Sequence, residues 1–241
     1  MKNSTKYLLA ALLVLLASLT AYNMALRTEY RSGAYKDPMR GYLTLDFKGF
    51  TEVSVPAAST VGVRVEAGPY QVRIDPRAAE FVHLRQLGGQ LVITTDFPVR
   101  SEFLGWGEQV VVRCPRLTAL RTDAVYTEAG QPVADKQESG GHKVLVLGFS
   151  QDSLLVQANR GSRVELASNQ LAFLRAETGT TPGSHAGLQL NADNHIAAAS
   201  LAIGHQSELS VNNLAIARLR YQVADSARVT LTGAALNSLN R

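Results

Sequence analysis

Cysteine is almost missing from these 241 residues: Cys114 stands alone. That excludes a disulfide framework, a cysteine-rich zinc site and a CxxC redox pair. Charge is thin as well, 18% of residues, and the net +4 is diffuse, with 17 Lys/Arg against 14 Asp/Glu in residues 1–150 and 7 against 6 thereafter. No basic block alternates with aromatics, so no nucleic-acid partner is expected. Aromatics make up 7%, with one Trp, so Val, Leu, Ile and Ala must build the core. No GxSxG, P-loop, GxGxxG or HExxH pattern occurs, and no catalytic residue, metal or cofactor is assigned. Beyond residue 40 no stretch longer than ten residues holds a 3.6-residue period, which argues against a helical body.

One long apolar run is present. Tyr7–Leu26 is 20 consecutive uncharged residues, preceded by Lys2 and Lys6 and followed by Arg27. As a helix it is about 30 Å long, matching the hydrocarbon core of a bilayer. The basic flank predicts a cytoplasmic N-terminus with the body outside, and Tyr7 and Tyr22 sit near the two interfaces. The alternative is a cleavable signal peptide, but Leu19-Thr20-Ala21 matches the A-x-A cleavage pattern poorly. The expected organisation is a cytoplasmic start and transmembrane anchor over 1–26, a polar tether over 27–40 and an all-β domain over 41–241.

Within that domain the apolar residues alternate with period two, as in Val61/Val63/Val65, Leu91/Ile93 and Val144/Val146, between Gly, Pro and Asp punctuation. Gly88-Gly89 reads as a two-residue hairpin turn. Composition shifts near residue 150: residues 151–241 hold 16 Ala and 8 Asn and no Lys, Trp, Cys or Met. So few large side chains call for a narrow interior. The pairs Val164/Leu166, Leu188/Leu190, Leu209/Val211 and Val229/Leu231 recur at intervals of 24, 21 and 20 residues, each followed by an Asn- or Gly-bearing turn. That repeat predicts a β-helix or solenoid, with a strand-and-hairpin half over 41–149 and repeat coils over 150–241.

The stretch VGVRVEAGPYQVRIDPRAAEFVHLRQLGGQLVITTD, followed by QVVVRCPRLTALRTDA, resembles the bacterial GIN-domain family of auto-transporter adhesin head domains. Val110, Val112, Pro115, Leu117 and Leu120 stand at the places of that family's v-x-v-x-x-P-x-L-x-x-L segment. Thr122-Asp123-Ala124 departs from it where members often carry Gly. The resemblance covers residues 43–235, and the Tyr22–Arg27 junction is similar to that of membrane-anchored Bacteroidetes-type members. It implies β-helical coils and an adhesin-like envelope protein without catalytic residues. With the basic flank, it implies a single-pass inner-membrane protein whose body lies in the periplasm; cleavage would instead release the body to the periplasm or cell surface.

Candidate contacts are few. Trp106, in SEFLGWGE, is either a platform for a sugar ring or partner, or a loop indole folded back over the coil. Leu236 and Leu239 in the last coil are the expected place for self-association or for docking a glycan or envelope protein. Cys114 reads as a buried inert thiol. His185, His195 and His205 lack a third convergent metal ligand. Polysaccharide cleavage on a β-helix is the alternative function and would need two acids in one column. The columns Glu165–Gln189–Ser210–Thr230, Arg163–Gly187–Glu208–Arg228 and Asn169–Asp193–Leu214–Ala234 contain no such pair. Glu208 and Arg228 are expected to form a surface ion pair.

Overall fold

The computed structural model describes residues 3–33, 39–99, 104–136 and 141–239, in two compact units, Met1–Tyr42 and Leu43–Arg241. In the first unit helix α1 (Asn3–Ser32) is apolar on every side. Leu8, Leu9, Leu13 and Val14, which point in different directions around the helix, are all exposed. The hydroxyls of Ser18, Thr20 and Thr28 donate to the carbonyls of Val14, Leu16 and Met24, satisfying themselves inside the helix. Ser4–Arg31 is long and apolar enough to cross a membrane. The helix continues beyond Leu26, so the segment expected as tether is helical to Ser32. Residues 34–38 of that segment lie outside the described residues.

The second unit contains the entire apolar core, Phe50 to Ala235, so it holds what it needs to fold on its own. Among the described residues its strands form two mixed sheets. One holds β3 (Val63–Ala67), β7 (Val110–Cys114), β11 (Val144–Leu147), β13 (Arg163–Ala167), β15 (Gly187–Leu190), β17 (Glu208–Asn212) and β19 (Arg228–Thr232). The other holds β2 (Glu52–Val55), β6 (Gln90–Phe97), β8 (Ala119–Thr122), β12 (Ser150–Ala158), β14 (Gln170–Thr178), β16 (His195–Ile203) and β18 (Arg218–Val223). From β11 onward the chain alternates between the sheets, and each strand pairs in parallel with the strand two elements on. The repeat read from sequence is the register of this ladder: Val164 faces Leu188, Leu188 faces Leu209, and Leu209 faces Val229.

The ladder reaches further back than residue 150. Val144 pairs with Val63, and Val63 with Val110, which extends one apolar column through the first half of the body. The opposite sheet carries the matching column Leu91, Val53, Leu120, Val156, Ala176, Leu201 and Tyr221. Where large and small residues share a column, as Ala176 does with Leu201, the narrow interior stays filled. Left-handed corners recur at Gly148, Ser168, Asn213 and Gly233, with φ of 77°, 54°, 49° and 57°.

A buried amide joins two of these corners. Asn169 Nδ2 donates to Asn194 Oδ1 at 3.0 Å and to the Val146 carbonyl at 3.1 Å, and its Oδ1 accepts the Phe149 N–H at 2.9 Å. Asn194 Nδ2 in turn donates to the Leu166 carbonyl at 2.6 Å. The column expected as Asn169–Asp193 is therefore displaced by one residue: Gln170 faces His195, so Asn194 holds the buried place and Asp193 is exposed. The turn between β15 and β16 carries one residue more than the neighbouring strand interval indicates.

Antiparallel strands cover one end. β4 (Gln71–Ile74) pairs with β7 and β1 (Leu43–Leu45) with β4. On the other sheet β5 (Val82–Leu87) folds back on β6 through Gly88, whose φ is 58°, while Gly89 stays outside the left-handed region. A hairpin of β9 (Val125–Glu128) and β10 (Gln131–Ala134) continues beside β6. Three aromatic contacts gather here, Phe50 against Tyr70 and Phe97 between Phe81 and Tyr126. At the other end a 3-10 segment, Gly233–Leu239, contacts β17 and β19 and buries Ala235.

Stacked columns make the body sensitive to interior substitutions. Leu188→Ala should lower the unfolding free energy by about 2–5 kcal/mol, measured by chemical denaturation of residues 43–241. Leu209→Asp, which places an unpaired carboxylate among stacked apolar groups, should abolish the cooperative transition.

Candidate functional site

On the outer face of the β12–β18 sheet three rungs make a trough. β14 presents Phe173, Arg175 and Glu177; β18 presents Arg218, Arg220 and Gln222 in register with them. Between them β16 presents only Ala198, Ser200 and Ala202, so the middle rung lies below its neighbours. The trough proper, lined by Phe173, Arg175 and Glu177 of β14, Ser200 and Ala202 of β16 and Gln222 of β18, has a volume of about 700 Å³, and Thr180, Gly204 and His205 close one end. That size is typical of a small-molecule or oligosaccharide subsite, roughly 300–1,000 Å³. An aromatic face, a guanidinium donor, an amide and a carboxylate on a shallow floor suit a polyhydroxylated ligand.

Polar side chains are linked across four rungs beside the trough. Arg121 pairs with Glu52 and donates from Nε to Gln157 Oε1 at 3.0 Å. Gln157 Nε2 donates to Glu177 Oε2 at 2.9 Å, and Arg175 donates to Glu177 Oε1 at 3.0 and 2.7 Å. The Gln157 hydrogen bond, followed by that of Arg175, holds the Glu177 carboxyl below its ordinary pKa. A smaller hollow of about 300 Å³ adjoins this chain and is lined by Asp123 and Glu177 together. Asp123 is paired with Arg160 and accepts the Ala124 N–H at 2.8 Å.

The residues singled out in sequence are not brought together. Trp106 is 76% exposed, with its ring edge against Gly141. Its loop is pinned by Gln109, whose Oε1 accepts the Gly62 N–H at 2.7 Å and whose Nε2 donates to the Gly105 carbonyl at 3.1 Å. Leu236 lies at the far end of the body and lines an apolar cavity inside the last rung. The side chain of Leu239 is outside the described residues. His195 is exposed, and Ile196 takes the buried position facing Leu171. Among the described residues no group of three His, Cys, Asp or Glu is placed to hold a metal ion. Glu208 and Arg228 face each other in register, but the expected ion pair does not form. Glu165 instead pairs with Lys143 and accepts from Asn191 at 2.6 Å.

The four-fold repeat of apolar pairs lies in β13, β15, β17 and β19, the sheet that does not carry the trough. Projecting the same period onto β14, β16 and β18 would have set Ala198, Ser200 and Ala202 between two rows of larger residues.

No family model and no curated protein matches the sequence. Solved structures do. A protein from Parabacteroides distasonis ATCC 8503, described as a "putative adhesin", aligns over 80% of this chain and 73% of its own, with 12% identity and a TM-score of 0.56. A "putative adhesin" from Bacteroides fragilis NCTC 9343 covers 79% and 97% at 12% identity, TM-score 0.38. A "Putative lipid binding protein" from Parabacteroides distasonis covers 80% and 94% at 9% identity, TM-score 0.40. The first of these shares the fold of the body.

Two outcomes follow from the ionisable groups. Burial pushes the Cys114 thiol up to about 12, so the folded protein should resist a thiol reagent that labels it stoichiometrically in denaturant. Acid should destabilise the body. Burial holds the His142 pKa down, so its contribution is present above about pH 6.5 and is lost as pH falls. The carboxyls of Asp75, beside Arg77, and of Asp193, beside Ser168, are also held down. Burial raises Glu165, but Lys143 and Asn191 outweigh it. With Glu177, these groups contribute stability above about pH 4 and lose it as pH falls through their folded values. The urea midpoint should decline below about pH 6.5 and fall more steeply below about pH 4.

Proposed function

We propose that the protein is a non-enzymatic, membrane-anchored envelope protein whose body is a two-sheeted, GIN-like β-helix acting as an adhesin-like binding module. The observation that carries this reading is the trough across β14, β16 and β18, which offers a shallow, polar, aromatic-edged surface suited to a glycan or an envelope protein. The adhesin description of the Parabacteroides distasonis protein of the same fold supports a binding role. Trp106 serves as a second, separate contact, and Leu236 with Leu239 belongs to the end of the last coil, where self-association would occur. Tyr7–Leu26 anchors the protein in a bacterial inner membrane, with the N-terminus cytoplasmic and the body periplasmic.

Polysaccharide hydrolysis is the competing reading, and the shared hollow of Asp123 and Glu177 is what favours it. Hydrolysis needs one carboxyl held protonated near neutral pH. Glu177 is shifted the opposite way, and Asp123 is engaged by Arg160 and the Ala124 N–H. Both carboxylates act as acceptors here.

Two experiments test the reading. Residues 43–241 on an oligosaccharide array should give saturable binding that falls at least tenfold in Phe173→Ala/Arg175→Ala, with the β-sheet circular dichroism spectrum and a cooperative melting transition retained. Release of reducing ends from a bound polysaccharide would favour the enzyme. Intact-mass analysis of the membrane fraction should show the N-terminal segment retained, whereas a mature protein starting near Asn23 would replace the anchor with a signal peptide.

A further inference from the structure

Three register rows cross the trough on the outer face. Phe173, Ala198 and Arg218 form the first, Arg175, Ser200 and Arg220 the second, and Glu177, Ala202 and Gln222 the third. Strands two rungs apart stand about 10 Å from each other, so β14 and β18 flank a floor wide enough for a sugar ring. Successive rows are about 7 Å apart along the strand. On the preceding strand the rows continue as the neutral Ser153, Leu155 and Gln157. Charge in these rows is confined to Arg175, Glu177, Arg218 and Arg220.

That charge is unevenly satisfied. On β14, Arg175 and Gln157 both donate to the Glu177 carboxylate, so the charges of this rim are balanced within the protein. On β18, Arg218 and Arg220 are exposed, and neither has an ion-pair or hydrogen-bond partner among the described residues. Their register partners, Ala198 and Ser200, carry no charge to engage them. The acids nearest in position lie outside the rows: Asp225 in the turn beyond β18, and Asp152 in the neighbouring hollow beside His195.

We infer that the trough takes an acidic oligosaccharide, one whose sugars carry carboxylates, with a ring on the Ala198–Ser200 floor beside Phe173 and its carboxylate at Arg218 and Arg220. This rests on the trough being the binding surface and adds the class of glycan. Two guanidinium groups that no acid of the protein neutralises attract a carboxylate through charge-assisted hydrogen bonds. Phe173, 40% exposed, offers an apolar face to the C–H side of a sugar. Glu177, kept ionised by its two donors, accepts hydrogen bonds from sugar hydroxyls at the other end of the trough. A uronic sugar supplies both the anion and the donors. A glutamate-rich peptide satisfies the arginines but sets further carboxylates against Glu177.

The test is calorimetric titration of residues 43–241 with oligogalacturonate, oligomannuronate and hyaluronan oligosaccharides, each beside its carboxyl-reduced counterpart, and with an oligoglutamate peptide. At least one acidic sugar should bind tenfold or more tightly than its reduced form, and the preference should shrink as salt rises. Arg218→Gln/Arg220→Gln should bring that sugar down to the level of its reduced form. Arg218→Lys/Arg220→Lys, which keeps the charge, should retain part of the preference. Phe173→Ala should weaken both forms alike. Equal affinity for every acid and its reduced form, a preference that survives the glutamine variant, or oligoglutamate bound as tightly as the best sugar would overturn the inference. Neutral sugars bound through Phe173 would overturn it while leaving the trough reading standing, and failure of every sugar to bind would overturn both.

Discussion

Strands in a parallel ladder stand about 4.8 Å apart, so inward side chains at equivalent positions on successive rungs are in van der Waals contact. The body depends on that contact being apolar and of suitable volume at every step. Val110, Val63, Val144, Val164, Leu188, Leu209 and Val229 meet the condition in one sheet, facing a second column that ends in Ala176, Leu201 and Tyr221. A one-residue slip would turn each interior row outward. Asn169 and Asn194 oppose such a slip, because their amides satisfy fixed backbone groups on successive rungs and would be left buried and unpaired by it.

Because the interior is consumed by stacking, function is left to the outer faces and the ends. One end is covered by antiparallel strands and a cluster of Phe and Tyr. The other ends in the 3-10 segment Gly233–Leu239. Between them the outer face of one sheet carries the linked chain Glu52, Arg121, Gln157, Glu177 and Arg175 beside a trough floored by Ala and Ser. Rigid rungs hold these side chains at fixed spacing, as a binding surface requires.

How much of this could be read from sequence depends on whether chain order and spatial order agree. From residue 144 onward they do, and the intervals between Val164, Leu188, Leu209 and Val229 gave the true register of one sheet. In the first half they do not. Val63 lies between Val110 and Val144 in the ladder, and β2 lies between β6 and β8, so no fixed period connects the partners and the rungs there looked like hairpins. The displaced Asn169 column has a local cause, one extra residue in the Asn191–Asn194 turn, which strand spacing in the other sheet does not reveal. Trp106 was visible as an isolated aromatic between glycines, whereas the trough arises only when three non-consecutive strands are laid side by side.

The central claim is the parallel register itself, and engineered cross-links read it directly. Gln189 and Ser210 are register partners on β15 and β17, both outward-facing, and the sole native thiol, Cys114, is buried. Strand spacing in a ladder lies within the Cα separation a disulfide accepts, roughly 4.4–6.8 Å. Gln189→Cys/Ser210→Cys should oxidise to an intramolecular disulfide in the folded protein, while Gln189→Cys/Val211→Cys, displaced by one residue onto the interior face, should not. A cross-link in the displaced pair, or none in the matched pair, would contradict the stacked-rung account.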